Sequence, residues 1–278
     1  MKAAVEMVLQ ENLKALKLST MLSHLKTCVR QAQESSHGYE EFLLNLTETE
    51  LQVRKENRLK RLLREAKFPL LKTLEGFDLN SAPGLDGRLL KELSGGQYIR
   101  ESRNIILLGK PGAGKTHLAT GLAVEACKDG VRTRFVTCSG LVNELMESRD
   151  DKRLSRVVNR YAGYDLLILD ELGYVPFSKE GAELLFQVLA ERHERRAVII
   201  TTNLGFADWT KVFGDANLTA ALLDRVTHRA YIINCTWESH RLKETLKNQQ
   251  KRQSEKNSIY GIEIPVALRA PSISIPHQ

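Results

Sequence analysis

The sequence predicts an α/β fold in which helices cover both faces of a parallel sheet. From about residue 104 to residue 250, short apolar segments rich in Ile, Leu and Val alternate with longer segments of helical periodicity. This alternation is typical of chains whose strands are parallel and buried. In addition, a glycine-rich segment, residues 109–116, follows the first apolar segment and opens a helical one. Loops of this kind join a strand to a helix and bind phosphate there.

Residues 1–72 are predicted to form a small all-α domain that precedes the sheet. Apolar residues recur at helical spacing over residues 5–16 and 21–32, and residues 39–46 are expected to form a short third helix. Thr47 and Glu50 have the spacing of a capping box. A fourth, longer helix is therefore predicted to begin at Thr47.

This fourth predicted helix is strongly basic. Residues 54–67 contain seven lysines and arginines but only two glutamates. One interpretation is a solvated helix face; the other is a surface that faces DNA or docks on a partner protein. On the second interpretation, Arg58 and Arg61 are candidate DNA contacts.

Beyond a boundary placed near Thr73, strands and helices are predicted in regular alternation. Loop signals around a short helical piece fill residues 73–96. The five predicted strands are residues 104–108, 133–138, 166–169, 197–202 and 230–234. The predicted helices are residues 115–128, 139–146, 151–161, 179–194, 218–229 and 238–250. Residues 253–278 lack periodicity and are expected to form an extended or disordered tail.

The glycine-rich loop has the spacing needed to hold a triphosphate. Its glycines, Gly109, Gly112 and Gly114, let backbone N–H groups turn towards an anion at the positive end of a helix. Lys115 is expected to reach the β- and γ-phosphates, and the Thr116 hydroxyl to ligate the bridging Mg²⁺. The sequence thus predicts ATP and Mg²⁺ as cofactors. The remaining predicted nucleotide contacts are Pro111, Ala113 and His117.

Two further predicted strands end in polar residues at the edge where an open α/β sheet binds its ligand. Residues 166–169 lead into Asp170, expected to hold Mg²⁺ through its waters, and Glu171, expected to polarise the attacking water. The strand at residues 197–202 leads into Asn203, whose amide can bond both the γ-phosphate and that water. Ordinary strand exits are the alternative interpretation of both patterns.

A row of arginines is a candidate DNA surface. At 100° per residue, four arginines between residues 149 and 160 fall on one stripe of the helix surface if they share a helix. An apolar face then lies about a third of a turn away. Guanidiniums at one-turn spacing suit a phosphate backbone and no recognition motif accompanies them, so binding without sequence preference is expected. A solvated basic face is the alternative. The four residues are Arg149, Arg153, Arg156 and Arg160.

Charge and composition narrow the class of protein. The chain has 278 residues and a formal net charge of +7, which favours a polyanionic partner. It contains neither an apolar run long enough to span a membrane nor a charged-then-apolar leader, so we expect a cytoplasmic protein with no membrane partner. Four scattered cysteines without a Cys-x-x-Cys pair argue against a zinc site or a disulfide framework.

Taken together, these motifs resemble those of a known family. Residues 109–116, 170–171 and 201–203 are similar to the Walker A, Walker B and sensor 1 elements of AAA+ ATPases. Within them, the chain up to residue 250 resembles the IstB-like proteins, which are ATPase helpers of a bacterial transposase and relatives of the DnaC helicase loaders. The segments that carry this narrower resemblance are Thr-Leu-Glu-Gly-Phe-Asp at 73–78, Asp-Glu-Leu-Gly-Tyr at 170–174 and Leu-Leu-Asp-Arg at 222–225.

The resemblance implies a AAA+ ATPase domain over residues 73–252, with the sensor strand between the two Walker strands. It also implies a homo-oligomeric ring or spiral, in which Arg225 is the arginine finger that reaches the neighbour's γ-phosphate. An ion pair with Asp224 is the alternative role for Arg225. Arg241 resembles a second, in-cis phosphate sensor, although no helical lid domain follows it.

The implied function is a bacterial, cytoplasmic ATPase that assembles on duplex DNA and activates a transposase, stimulated by DNA and by oligomerisation. A helicase loader is the alternative, although Cys28 is the only cysteine before residue 73 and some loaders carry zinc-ligating cysteines there. A P-loop kinase is disfavoured, because Glu171, Asn203 and Arg225 suit attack by water and coupling between subunits.

Overall fold

The structure, a computed structural model, describes residues 2–237 and contains one parallel sheet in that part of the chain. The strand order is β2-β3-β4-β1-β5, and each neighbouring pair is parallel. The strands are β1 (Ile105–Gly109), β2 (Thr133–Thr137), β3 (Leu166–Leu172), β4 (Ala197–Thr202) and β5 (Tyr231–Cys235). The predicted α/β class is confirmed, and the predicted sensor strand, β4, does lie between β1 and β3.

Helices lie on both sides of this sheet and also precede it. The helices that precede β1 in the chain are α1 (Lys2–Ala15), α2 (Ser19–Glu34), α3 (Tyr39–Ala66), α4 (Gly87–Ser94) and α5 (Gln97–Arg100). Those that follow β1 are α6 (Lys115–Lys128), α7 (Cys138–Asp150), α8 (Leu154–Ala162), α9 (Lys179–Arg192), α10 (Trp209–Phe213) and α11 (Ala216–Thr227). The predicted helix at 238–250, the tail and Arg241 lie outside the described residues.

Alternation along the strands explains why they are apolar throughout. In β1, Ile105 and Leu107 join the cluster that contains α6, whereas Ile106 joins the cluster that contains α7 and α9. In β3, Leu166 and Leu167 divide between the same two clusters. Because successive side chains point to opposite faces, a strand covered on both faces must be apolar at every position.

The N-terminal helices depart from the prediction. Residues 39–66 form one continuous helix, α3, so the predicted break and capping box at Thr47 are wrong. The Thr47 hydroxyl instead donates to carbonyls of the preceding turn, which a residue inside a helix can do. The side chain of Leu46 packs with Leu13, Met21 and Leu25, and this contact with α1 and α2 maintains the helix through the segment.

Glu50, the other half of the expected box, caps a different helix. Its carboxylate is 4% exposed and accepts hydrogen bonds from the Met21 N–H (2.9 Å) and from Arg54 Nε (2.7 Å). Burial opposes its ionisation, but these hydrogen bonds prevail and lower the pKa of Glu50. An ionised side chain of α3 therefore satisfies an N–H group in the first turn of α2.

The end of α3 packs on the sheet domain. Leu62 and Ala66 contact Cys127 of α6 in a small apolar cluster. Arg58 Nη2 donates to the carbonyl of Gly130 at 3.0 Å. This helix therefore connects the N-terminal helices to the domain that carries the glycine-rich loop, and none of the helices in residues 2–237 is both long and apolar enough to cross a bilayer.

Candidate active site

The glycine-rich loop between β1 and α6 requires glycine for two separate reasons. At Gly109 a Cβ atom would clash with the carbonyl oxygen of Cys235, because the end of β5 lies against the start of the loop. Gly114 is the N-cap of α6 with φ +82°, and a Cβ there would lie 3.1 Å from the Phe77 ring. The loop is thus held between β5 and the segment before α4.

The side chains that follow the loop lie where nucleotide chemistry needs them. Lys115 Nζ donates to the carbonyl oxygens of Gly109 (2.7 Å) and Lys110 (3.0 Å), so its ammonium group lies across the loop. The Thr116 hydroxyl donates to Asp170, with distances of 3.0 and 3.2 Å to the two carboxylate oxygens. A residue pair predicted from separate motifs, 54 positions apart, is therefore in direct contact.

Thr116 and Asp170 fit a magnesium ion. Mg²⁺ prefers oxygen ligands, and at nucleotide sites it binds one or two protein side chains together with phosphates and water. A hydroxyl oxygen and a carboxylate at the N-terminus of α6 offer that donor set. Their contact supports the predicted metal role of both residues.

The predicted acids lie on an irregular strand end. Asp170 is 4% exposed, whereas Glu171 is exposed and has a left-handed backbone with φ +60°. The pairing of β3 with β4 shifts register here, because Leu169 pairs with Ile200 but Leu172 pairs with Thr202. Two residues of β3 therefore oppose one of β4, which is a β-bulge, and such a bulge re-aims a side chain beside an active site.

Asn203 lies at the same edge of the sheet. It follows Thr202, which pairs with Leu172 just beyond the two acids, and its side chain is exposed. The Thr202 hydroxyl donates to the Leu172 carbonyl (2.8 Å) and accepts from the Leu204 N–H (3.1 Å), which ties the turn that carries Asn203 to β3. This position is consistent with the predicted sensor role.

A cavity of about 530 Å³ opens beside the glycine-rich loop. Its other walls come from several residues between 69 and 82, from Thr120 and from Trp237, whose Nε1 donates to the Ala113 carbonyl at 2.7 Å. The Phe77 ring meets the His117 ring edge to face at 5.3 Å, and a ring nitrogen of His117 lies 2.9 Å from the Thr73 carbonyl. The cavity has the size and the mixed lining of a small-ligand site.

Phe77 and Trp237 were not among the predicted nucleotide contacts. The Thr-Leu-Glu-Gly-Phe-Asp segment at 73–78 contributes to the family resemblance, but nothing in its periodicity indicates that it folds over the loop. Predicted nucleotide contact His117 does line the cavity, as do Gly112, Ala113 and Gly114.

Arg225 lies at the opposite edge of the sheet from the glycine-rich loop. Asn104, which precedes β1, donates to the Val226 carbonyl at 3.0 Å and accepts from the Val198 N–H at 3.0 Å, which fixes the end of α11 there. Asn104 and Gly109 are about 16 Å apart along an extended chain. The backbone of Arg225 is thus remote from the glycine-rich loop of its own subunit.

The guanidinium of Arg225 is held without an acidic partner. Its Nη1 donates to the Ala221 carbonyl (2.8 Å) and its centre lies 4.9 Å from the centroid of the Phe186 ring. Within residues 2–237, no carboxylate lies within 4 Å of it, so the alternative ion pair with Asp224 is not formed. The side chain is half-buried.

The arginine row does not form the single helical stripe that was predicted. A break at residues 151–153 divides it, with Lys152 at φ +58°. Arg149 lies in the last turn of α7 and Arg153 at the N-cap of α8, whereas Arg156 and Arg160 lie within α8. The prediction of one helix is wrong because Lys152 has a left-handed backbone, which separates α7 from α8. The arginines keep a helical spacing across this turn, so the sequence pattern did not reveal the break.

Most of these arginines have acidic neighbours. Arg149 pairs with Glu180 (3.5 Å), Arg153 with Asp151, and Arg160 with Glu144 (2.5 Å). Partial burial would raise the pKa of Glu144, but hydrogen bonds from Tyr161 and Arg160 outweigh it and lower the pKa, so this carboxylate stays charged.

Arg156 differs from the other three. In the part of the chain that the structure describes, it has no carboxylate within 4 Å, and its side chain is exposed. Together with Arg153 and Arg160 it lines a cavity of about 570 Å³ between α7 and α8. Of the two basic candidates on α3, Arg58 contacts the Gly130 carbonyl, while Arg61 lies 4.0 Å from Glu65. DNA contact by this set stays a prediction.

Comparison with known proteins places these features in a family. A family profile described as IstB-like ATP binding protein matches residues 11–248. The ATP-binding protein of insertion sequence IS21 from Pseudomonas aeruginosa is 40% identical over 235 residues, which are 84% of this chain and 89% of that protein. Its counterpart in IS232 from Bacillus thuringiensis subsp. berliner is 35% identical over 236 residues, or 85% and 94% of the two chains.

Solved structures show a similar fold. The structure of DnaI has a TM-score of 0.51 at 22% identity and matches 63% of this chain and 93% of its own. The replication initiator DnaA bound to AMPPCP and single-stranded DNA has a TM-score of 0.51 at 18% identity, over 73% and 59% of the two chains. At such identities the likeness concerns the fold alone, and it agrees with the predicted α/β domain built on a parallel sheet.

Proposed function

The chain belongs to the IstB-like ATP-binding proteins, and on this premise we propose that it hydrolyses ATP in the service of an insertion-sequence transposase. One observation carries the proposal. Thr116, Asp170 and Glu171, from two motifs far apart in sequence, lie together at the edge of the sheet where the glycine-rich loop opens. This arrangement is suited to a nucleoside triphosphate, its metal and a lytic water.

The residues divide the chemistry between them. When bound, Mg²⁺ would neutralise charge on the β- and γ-phosphates. Lys115 exchanges its loop carbonyls for phosphate oxygens, and the backbone N–H groups of the loop bind the same anion. Glu171 accepts a proton from the attacking water while Asn203 orients that water and the γ-phosphate. The side of the cavity that Phe77 lines receives the adenine ring of ATP.

The site needs a second subunit to be complete. The backbone of Arg225 lies near the far edge of its own sheet and no described carboxylate pairs with its guanidinium, which supports a role on a neighbouring subunit. A ring or spiral joined head to tail would bring each Arg225 to the next subunit's phosphates. ATP turnover would then depend on assembly.

The assembly is proposed to form on duplex DNA in the bacterial cytoplasm, without sequence preference. Support comes from the basic chain and from Arg153, Arg156 and Arg160, which line one cavity between α7 and α8 together with Glu144 and Glu147. Arg156, which has no acidic partner within residues 2–237, is the strongest candidate contact. The others must exchange carboxylates for phosphates, which weakens their net contribution.

Replacing Arg156 by alanine is therefore expected to weaken binding to unrelated duplexes equally. The dependence of log K on log salt concentration should flatten by about one unit, because one phosphate contact is lost. Fluorescence anisotropy with two unrelated duplexes at several salt concentrations measures both effects. Arg195→Ala is the matched control, since Arg195 is exposed, pairs with Glu191 and lies outside this surface. Equal salt slopes for Arg156→Ala and wild type would remove Arg156 from the DNA surface.

The partner is tested directly by comparing the two protein classes that such ATPases serve. We expect the full chain with ATP and DNA to retain the transposase of its own insertion sequence and not a replicative helicase in a pull-down assay. ATP hydrolysis should rise on adding duplex DNA. Retention of the helicase alone would replace the proposed function with that of a helicase loader, the alternative drawn from the sequence.

A further inference from the structure

We infer that Thr201 is the residue that positions both acids of the hydrolytic site, an inference that rests on the proposed ATPase function. Thr201 is the fifth residue of β4, is 1% exposed and lies directly opposite the bulge of β3. It lies two residues before Asn203, the predicted sensor. The sequence does not distinguish Thr201 from Thr202, because both are threonines at the end of the same predicted strand. In the structure both are 1% exposed.

The Thr201 hydroxyl makes two hydrogen bonds, one to each acidic residue. Its Oγ1 donates to Asp170 Oδ1 at 2.5 Å and accepts from the Glu171 N–H at 3.0 Å. A threonine hydroxyl has one proton to donate, so this proton is committed to the carboxylate and a lone pair faces the amide. One buried oxygen thus joins the candidate metal ligand to the backbone of the candidate base.

The bulge makes this link necessary. Where two residues of β3 oppose one residue of β4, the extra residue has no place in the regular ladder and its N–H lacks a strand partner. The hydroxyl of Thr201 supplies that partner for Glu171, whose left-handed backbone is itself unfavourable for a residue with a side chain. Thr201 therefore stabilises the conformation that presents the Glu171 side chain.

The same hydroxyl also sets the orientation of Asp170. The hydroxyls of Thr116 and Thr201 both donate to its Oδ1, at 3.0 and 2.5 Å. Thr116 is expected to leave this contact when it ligates Mg²⁺, whereas Thr201 has no other described partner for its proton. Thr201 thus remains as the donor that fixes the carboxylate as an acceptor directed towards the metal, the role of a residue that orients a ligand.

The test compares three single variants of the full chain. Thr201→Val removes the hydroxyl while keeping the shape, Thr201→Ser restores the hydroxyl, and Thr202→Val removes an equally buried hydroxyl that touches neither acid. Calorimetry measures ATP affinity with Mg²⁺ and with EDTA. The gain in affinity from Mg²⁺ is expected to shrink by about 10- to 100-fold in Thr201→Val. Affinity in EDTA should be unchanged, because Thr201 does not touch the phosphate loop.

Thr201→Ser and Thr202→Val are expected to keep the wild-type gain from Mg²⁺. A wild-type gain in folded Thr201→Val, or an equal loss in Thr201→Ser, overturns the inference. If Thr201→Val does not fold, Thr201→Ala takes its place, because alanine leaves space and does not put a methyl group against Asp170. The measured quantity is binding, so the role of Thr201 can be tested whether or not the protein hydrolyses ATP. A wild-type chain that binds Mg²⁺ and ATP but never hydrolyses ATP would contradict the proposed function alone.

Discussion

Replacing Glu171 by glutamine is expected to retain ATP binding and to lower ATP turnover by about 10²- to 10⁴-fold, the usual contribution of a general base. Glutamine keeps the size and the polar contacts of the side chain but cannot accept a proton from water. The left-handed backbone at this position and its hydrogen bond to Thr201 stay in place. The variant should therefore accumulate as an ATP-bound assembly on DNA.

The contrasting variant is Lys115→Ala. Lys115 lies across the phosphate loop, so its loss should abolish nucleotide binding, whereas loss of the Glu171 carboxylate should affect only the chemical step. Binding of a fluorescent ATP analogue, phosphate release and sedimentation on DNA separate the two outcomes. Glu183→Gln, an exposed glutamate on α9, controls for the loss of one negative charge. Wild-type turnover in Glu171→Gln would assign the base to another residue.

The sequence predicted those parts of the fold and site that depend on local pattern. The phosphate loop, the apolar strand that leads into Asp170 and the strand that ends before Asn203 each have their own signature, and all three lie at one edge as predicted. Parallel strands in one sheet share a carboxyl edge, so motifs at strand ends converge even without knowledge of the strand order.

Features that depend on contacts distant in sequence were not predictable in the same way. Thr47 and Glu50 have a capping-box spacing, but the packing of Leu46 against α2 keeps α3 continuous and assigns Glu50 to another helix. The arginine row obeys a 3.6-residue period across a break that Lys152 makes with a left-handed backbone. Spacing alone does not distinguish a helix from two helices in phase.

The role of Thr201 was missed for a related reason. A bulge is defined by the pairing of two strands, and the sequence of β3 alone does not reveal that Asp170 and Glu171 oppose a single residue of β4. Thr201 contacts both residues because the register of β4 against β3 places it opposite them. The same holds for Phe77, because its segment reaches the loop through a contact with His117 on a different element.

Arg225→Ala is expected to have the largest effect on turnover, because arginine fingers contribute on the order of 10³ to 10⁵ in rate. The backbone of Arg225 lies near the sheet edge opposite its own phosphate loop, so we expect the isolated subunit to lack the cation that offsets charge on the transferring phosphoryl group. Wild-type hydrolysis should therefore rise steeply with protein concentration and with DNA. The variant should lose this rise and keep its affinity for ATP. Arg229→Ala, an exposed arginine four residues further along, is the matched control.

The in-trans role is tested most sharply by mixing two inactive proteins, Arg225→Ala and Lys115→Ala. In a head-to-tail contact, the Arg225→Ala subunit binds ATP and accepts the intact finger of a Lys115→Ala neighbour, so part of the activity should return on mixing. Neither protein alone can form such a site, because every contact between Arg225→Ala subunits lacks the finger and every contact between Lys115→Ala subunits lacks bound ATP. If differently tagged subunits co-purify and the mixture stays as inactive as its components, Arg225 does not act on a neighbour, and its contacts with Phe186 and Ala221 serve only to hold α11 in place.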